Sequence, residues 1–192
     1  VLKNFKKSID KLNQVCYNKY NKRKKEVIKM ANVKMVCFDM DGTIADLYGV
    51  NGWLEGLRSY KVEPYVQAEP MWDMPELAEL LMALQNRGIE IRIITWLSMA
   101  SVTEYDNAVR VAKREWLKEY NFPYDHFHGV KYGTTKASCV SRYLAEEETA
   151  ILIDDNAKVR NGWSLGETVD PTSTDLIEYF KADRKSTRLN SS

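Results

Sequence analysis

Val33-Lys34-Met35-Val36-Cys37-Phe38-Asp39-Met40-Asp41-Gly42-Thr43 is a short, largely apolar, β-rich run that ends in two carboxylates and a glycine. Apolar runs of this length suit strands covered by helices on both faces, as in a parallel sheet. Ile89 to Thr95 and Ala150 to Ile153 read the same way. Between the first two runs, Pro75 to Arg87 carries Leu77, Leu80, Leu81 and Leu84 at helical spacing and stops at Gly88, a common C-terminal signal. Tyr105 to Tyr120 repeats the pattern with Val109, Ala112, Trp116 and Leu117, and Asn121-Phe122-Pro123 ends it. Strands alternating with helices predict an α/β fold, a Rossmann-like three-layer sandwich around a mainly parallel sheet. Asp46 to Asp73 has no strong period and mixes Gly49, Gly52, Gly56, Pro64 and Pro70 with aromatics. It reads as an irregular insertion or a small cap over a site.

Size and composition agree with one globular domain: 192 residues, 44% hydrophobic and 29% charged, are enough for a sizeable core. A formal net charge of +1 gives no global bias toward nucleic acid or acidic membranes. Cys16, Cys37 and Cys139 are widely spaced and form no CxxC pair, which suggests neither a zinc site nor a disulfide framework and fits a reducing cytoplasm. No run of apolar residues is long enough to span a bilayer.

The ends read differently from the middle. Residues 1–29 are basic and polar and read as a solvated leader; a nucleic-acid-binding arm is the functional alternative, and translation of an untranslated stretch before a start at Met30 is a third. Residues 183–192, Asp183-Arg184-Lys185-Ser186-Thr187-Arg188-Leu189-Asn190-Ser191-Ser192, read as a translated sequencing adapter. The globular α/β domain is therefore expected over 30–182, with 46–73 as the insertion.

Asp39 and Asp41 follow a strand, where ligands collect in open α/β sheets, and Gly42 permits a tight turn and close approach of backbone to a phosphate. Ile151-Leu152-Ile153-Asp154-Asp155-Asn156 ends a second strand in adjacent acids. Four like charges in one cleft call for a bound cation, and a short acidic loop suits Mg2+, which is usually held by one or two carboxylates, water and phosphate.

With these residues in hand, the chain resembles the haloacid dehalogenase-like (HAD) superfamily of phosphohydrolases, whose four motifs occur in order across Val33 to Asp155. The resemblance implies that Asp39 attacks phosphorus to form an aspartyl-phosphate and that Asp41 serves as general acid and then base. It implies that Thr95, ending Ile91-Arg92-Ile93-Ile94-Thr95, hydrogen-bonds the phosphoryl group, and that Lys136 neutralises charge, with Lys131 as the rival. Metal ligands are expected among Asp39, Asp41, Asp154 and Asp155; which of the last two binds directly is left open.

Phage and bacterial deoxyribonucleotidases and the phosphatase domain of polynucleotide kinase-phosphatases are similar in arrangement. That likeness implies a nucleotide or nucleic-acid end phosphate as substrate; with no apolar run long enough to span a bilayer, no membrane partner is expected. Tyr48, Trp53 and Tyr60 are candidates to face a base, but read as aromatic filling of the insertion; Trp96 reads as core and Arg160 as facing water. A phosphotransferase or phosphomutase using the same intermediate, and a binding module without catalysis, are the alternatives.

Overall fold

The computed structural model describes Met30 and residues 32–189. The leader 1–29 and residues 190–192 lie outside them, and with them the arm and start-site readings. The elements follow in chain order as β1 (Val33–Phe38), β2 (Ala45–Asp46), α1 (Trp53–Arg58), α2 (Glu63–Gln67), β3 (Glu69–Pro70), α3 (Met74–Gln85), β4 (Glu90–Trp96) and α4 (Thr103–Glu119). They continue as β5 (His126–Val130), α5 (Lys136–Val140), β6 (Thr149–Ile153), α6 (Ala157–Asn161), β7 (Thr168–Val169) and α7 (Leu176–Leu189).

The main sheet runs β5-β4-β1-β6-β7, and every neighbouring pair is parallel. Period-two alternation sorts its side chains to two faces. Val36, Phe38, Ile91, Ile93, Ile151 and Ile153 meet Leu77, Leu80, Leu81 and Leu84 of α3, Trp116 and Leu117 of α4, and Leu176, Ile177 and Phe180 of α7. Met35, Cys37, Ile94, Ala150 and Leu152 meet Ala137 and Val140 of α5 and Trp163. This is the three-layer α/β sandwich predicted from the sequence.

Local signals place the helices. Asp73 caps α3, its Oδ1 accepting from Glu76 N at 3.0 Å, and Pro75 occupies the first turn, where its missing N–H costs nothing. The stretch 46–73 is built from a 3-10 turn, α1, α2 and a two-stranded ribbon in which Ala45 pairs with Pro70 and Asp46 with Glu69. Its Leu47 and Tyr65 join Leu97, Tyr105, Val109 and Ala112 in a small core of their own. Helix α7 continues past Ala182, where the sequence placed a break: Asp183 pairs with Arg87 and Arg184 with Glu79. No helix among the described residues is long and apolar enough to cross a membrane.

Candidate active site

The chain leaves β1 for β4 and β5 on one side and returns to β6 on the other, so the crevice beyond the carboxyl ends of β1 and β6 is a topological switch point. Asp39 follows β1 directly, its N–H donating to Ile153 O at 2.9 Å. The next residues curl tightly: Met40 O accepts from Thr43, Ile44 and Ala45 N–H, and Gly42 N donates to Ala45 O at 2.8 Å. Thr43 Oγ1 accepts from Asp155 N at 3.1 Å, tying this turn to the loop after β6.

One oxygen each from Asp39, Asp154 and Asp155 lie within 4.8 Å of one another. Lys136, at the start of α5 and almost fully buried, puts Nζ 2.8 Å from Asp39 Oδ1 and 2.7 Å from Asp154 Oδ2. Its ammonium thus pairs with both carboxylates at once. Asp154 Oδ1 accepts from Asn156 N at 2.9 Å. Burial, then the charge of Asp39, pushes Asp154 up to about 6, with Lys136 opposing; burial, Asp39 and Asp154 push Asp155 up to about 6. Burial alone would lower Lys136, but Asp39 and Asp154 outweigh it and its pKa is raised. Crowded carboxylates that resist ionisation, with one oxygen from each of three within 4.8 Å of one another, fit a hard divalent cation.

Asp41 does not join that group. Its Oδ2 lies 2.6 Å from Nζ of Lys113, a residue of α4 that is 1% exposed. Burial raises the Asp41 pKa, Lys113 opposes this, and Asp39 adds to it. Lys113 also donates to Thr95 Oγ1 at 2.7 Å and Trp96 O at 3.0 Å. Thr95, expected on the phosphoryl group, is fully buried beside this ammonium, while Asp39, Asp41, Lys136, Asp154 and Asp155 line the cavity. Lys131 is exposed. The Cys37 thiol beneath is pushed up to about 12 by burial and stays protonated.

The cavity has a volume of about 620 Å³. Trp96 is not core: half-buried on the cavity wall, it donates Nε1–H to Thr134 O at 2.9 Å and packs its ring 4.7 Å from that of Tyr132. Tyr48, Trp53 and Tyr60 do more than fill the insertion, although Trp53 packs against its small core and the Tyr60 ring sits edge to face on Tyr105 at 5.4 Å. All three line the cavity, Tyr48 at 49% and Tyr60 at 55% exposure, with the Tyr48 and Trp53 rings edge to face at 5.0 Å. Arg160, read as facing water, braces the acidic loop: Nη1 donates to Asp154 O at 2.6 Å and Nη2 to Asp170. Lys113 and Thr43 were not singled out from the sequence for these roles. The signal for Lys113 is a cation inside the apolar stripe Val109, Ala112, Trp116, Leu117.

No protein-family model matches the chain, and no curated protein matches it. Similar solved structures include a hypothetical protein from Xanthomonas campestris, 14% identical at a TM-score of 0.48, over 85% of this chain and 88% of that one. Another is 3-deoxy-D-manno-octulosonate 8-phosphate phosphatase from Moraxella catarrhalis in complex with magnesium, phosphate and KDO, 15% identical at a TM-score of 0.44, over 87% of this chain and 97% of that one. A third is D,D-heptose 1,7-bisphosphate phosphatase from B. bronchiseptica with magnesium and phosphate, 14% identical at 0.43, over 68% and 74%. Likenesses this loose assign nothing to this chain. Its own strand order and register define a parallel α/β sandwich with an acidic, lysine-braced crevice at the switch point.

Proposed function

We propose that the chain is a Mg2+-dependent phosphomonoesterase of HAD type, acting through an aspartyl-phosphate on Asp39. The observation that carries this is the separation of roles among the cavity carboxylates: Asp39 grouped with Asp154, Asp155 and Lys136, and Asp41 held apart on Lys113. Asp39 attacks phosphorus as the bond to the leaving oxygen breaks, and Asp41 gives that oxygen its proton. Asp41, now a carboxylate, takes a proton from water, which attacks the phosphoryl group, frees phosphate and restores Asp39. Lys136 compensates charge on the nucleophile and the phosphoryl oxygens. Asp39, Asp154 and Asp155 would hold the magnesium ion, whose chemistry is to cancel the repulsion between a carboxylate nucleophile and an anionic ester.

The substrate reading is a nucleoside monophosphate or a phosphorylated nucleic-acid end. Tyr48, Trp53, Trp96 and Tyr132 supply aromatic surface on one cavity wall or another, and base–aromatic stacking is worth about 1–3 kcal/mol per base. Phosphate release by the full chain, with Mg2+ or with chelator, across nucleoside monophosphates, 3′- and 5′-phosphorylated oligonucleotides and sugar phosphates tests both parts. Mg2+-dependent release with nucleotides preferred supports both; release favouring sugar phosphates removes the aromatic reading and keeps the chemistry. Asp39→Asn is expected to abolish turnover with the circular dichroism spectrum unchanged, and an active Asp39→Asn protein would falsify the covalent step.

A further inference from the structure

Lys113 is a buried cation that the phosphatase chemistry does not use directly. Its ammonium has three N–H donors and three acceptors at bonding distance: Asp41 Oδ2 at 2.6 Å, Thr95 Oγ1 at 2.7 Å and Trp96 O at 3.0 Å. With all three engaged, Lys113 has no donor left for a substrate oxygen, and Lys136, 97% hidden from solvent on the other side of the nucleophile, is the cation beside Asp39. Two of the acceptors belong to the end of β4, a central strand, and the lysine itself rides on the 17-residue α4. The third is a side chain on the turn after β1 that lines the cavity. A rigid frame therefore grips one oxygen of Asp41. The Tyr65 ring of the insertion lies 5.1 Å from Nζ and closes the ammonium off above.

Burying an ammonium in an apolar stripe is costly, and a leucine there would pack without that cost. The geometry points to Lys113 as the positioning residue that makes Asp41 the proton donor to the leaving group, with Thr95 and the Trp96 carbonyl as its anchors. The assignment rests on the phosphatase reading and deepens it. One Asp41 oxygen is fixed on Lys113, so the other is aimed into the cavity at a set position. Without the lysine, the carboxyl group rotates and finds the leaving oxygen less often. Thr95 acts at one remove, through the ammonium.

A positioning role and a purely structural ion pair differ in what they do to different leaving groups. An alkoxide needs the proton of Asp41 as it departs, whereas p-nitrophenolate leaves without one. Lys113→Met is therefore expected to lower kcat on an alkyl phosphomonoester by about 10²-fold, within the span of general acid–base effects, and on p-nitrophenyl phosphate by less than about threefold. Asp41→Asn should give the same contrast, and the double variant Asp41→Asn/Lys113→Met should be no slower on the alkyl ester than Asp41→Asn alone. Equal losses on the two esters, or a double variant slower by the product of the single losses, would overturn the assignment. Where Lys113→Met does not fold, Lys113→Gln and the double variant, which leaves no unpaired carboxylate, carry the same comparison. The wild-type chain distinguishes the two levels. If it hydrolyses neither ester with Mg2+, the phosphatase reading fails; if it hydrolyses both and Lys113→Met shows no contrast, the role of Lys113 alone is lost.

Discussion

A Cβ built on Gly42 would fall 2.5 Å from the Tyr48 ring and 2.7 Å from an Asp155 carboxylate oxygen, and the backbone there has φ of +74°. Both the turn and the close packing of insertion on acidic loop thus require a residue without a side chain. Gly42→Ala is expected to cost about 1–3 kcal/mol of stability in urea unfolding, from strain at positive φ and displacement of its neighbours. Turnover should fall by more than the loss of folded protein explains, since Tyr48 and Asp155 both line the cavity. A variant as stable and active as wild type would show that the turn relaxes freely. The need for glycine here was legible in the sequence, as were the strand-end places of Asp39, Asp41, Asp154 and Asp155, because apolar runs that end abruptly in acids mark strand ends; Lys136 was reached only through the motif order of the superfamily the chain resembles. Lys113 was not legible, since the groups that give it meaning, Asp41 and Thr95, lie 72 and 18 residues away. Trp96 was misread for the same reason: a lone aromatic after a strand is core or wall according to Tyr132 and Thr134, distant in sequence.

Elements were legible in proportion to their burial. Strands β1, β4 and β6 and helices α3 and α4 announce themselves by continuous or periodic apolar residues, and the observed bounds fall within a few residues of those predicted. Strand β5 reads His126-Phe127-His128-Gly129-Val130, an edge strand with polar residues and a glycine, and β7 has two residues; neither has a pattern to find. The insertion hid α1 and α2 because helices of six and five residues are too short for a period to register. Helix α7 is the element whose standing can be tested most directly. Phe180 is 2% exposed, its ring 6.2 Å from Phe38 and 5.1 Å from Tyr179, and it covers the sheet face below the nucleophile. Phe180→Ala is expected to destabilise the protein by about 3–5 kcal/mol in urea unfolding, the usual cost of deleting a buried phenyl ring. A loss below about 1 kcal/mol would mean that α7 does not seal the core as its contacts indicate.

At the scale of the molecule, the crevice gathers four carboxylates, Asp39, Asp41, Asp154 and Asp155, around two buried ammoniums, Lys113 and Lys136. Negative charge is in excess, and its consequence for stability has a definite sign. Asp154 and Asp155 are pushed from an ordinary 3.8 up to about 6, chiefly by burial and next by Asp39. A carboxyl whose folded pKa lies above its unfolded value binds its proton more tightly in the folded state. The stabilisation is complete below about pH 4 and is lost as pH rises through about 6, so near neutrality the metal-free crevice strains the fold. A divalent cation bound there would remove that strain, but only from ionised carboxylates, so its binding would strengthen over the same interval. With chelator present, these two groups should make the melting temperature fall between about pH 5 and about pH 7.5, relative to an Asp155→Asn variant that lacks one of them. Added Mg2+ should raise the melting temperature more at about pH 7.5 than at about pH 5, and Asp155→Asn should shrink that rise. Thermal melts at the two pH values, with and without Mg2+, read all of this without any substrate. An Mg2+ effect that is absent, or as large at the lower pH, would mean that Asp39, Asp154 and Asp155 do not form the cation site, whatever the chain is found to hydrolyse.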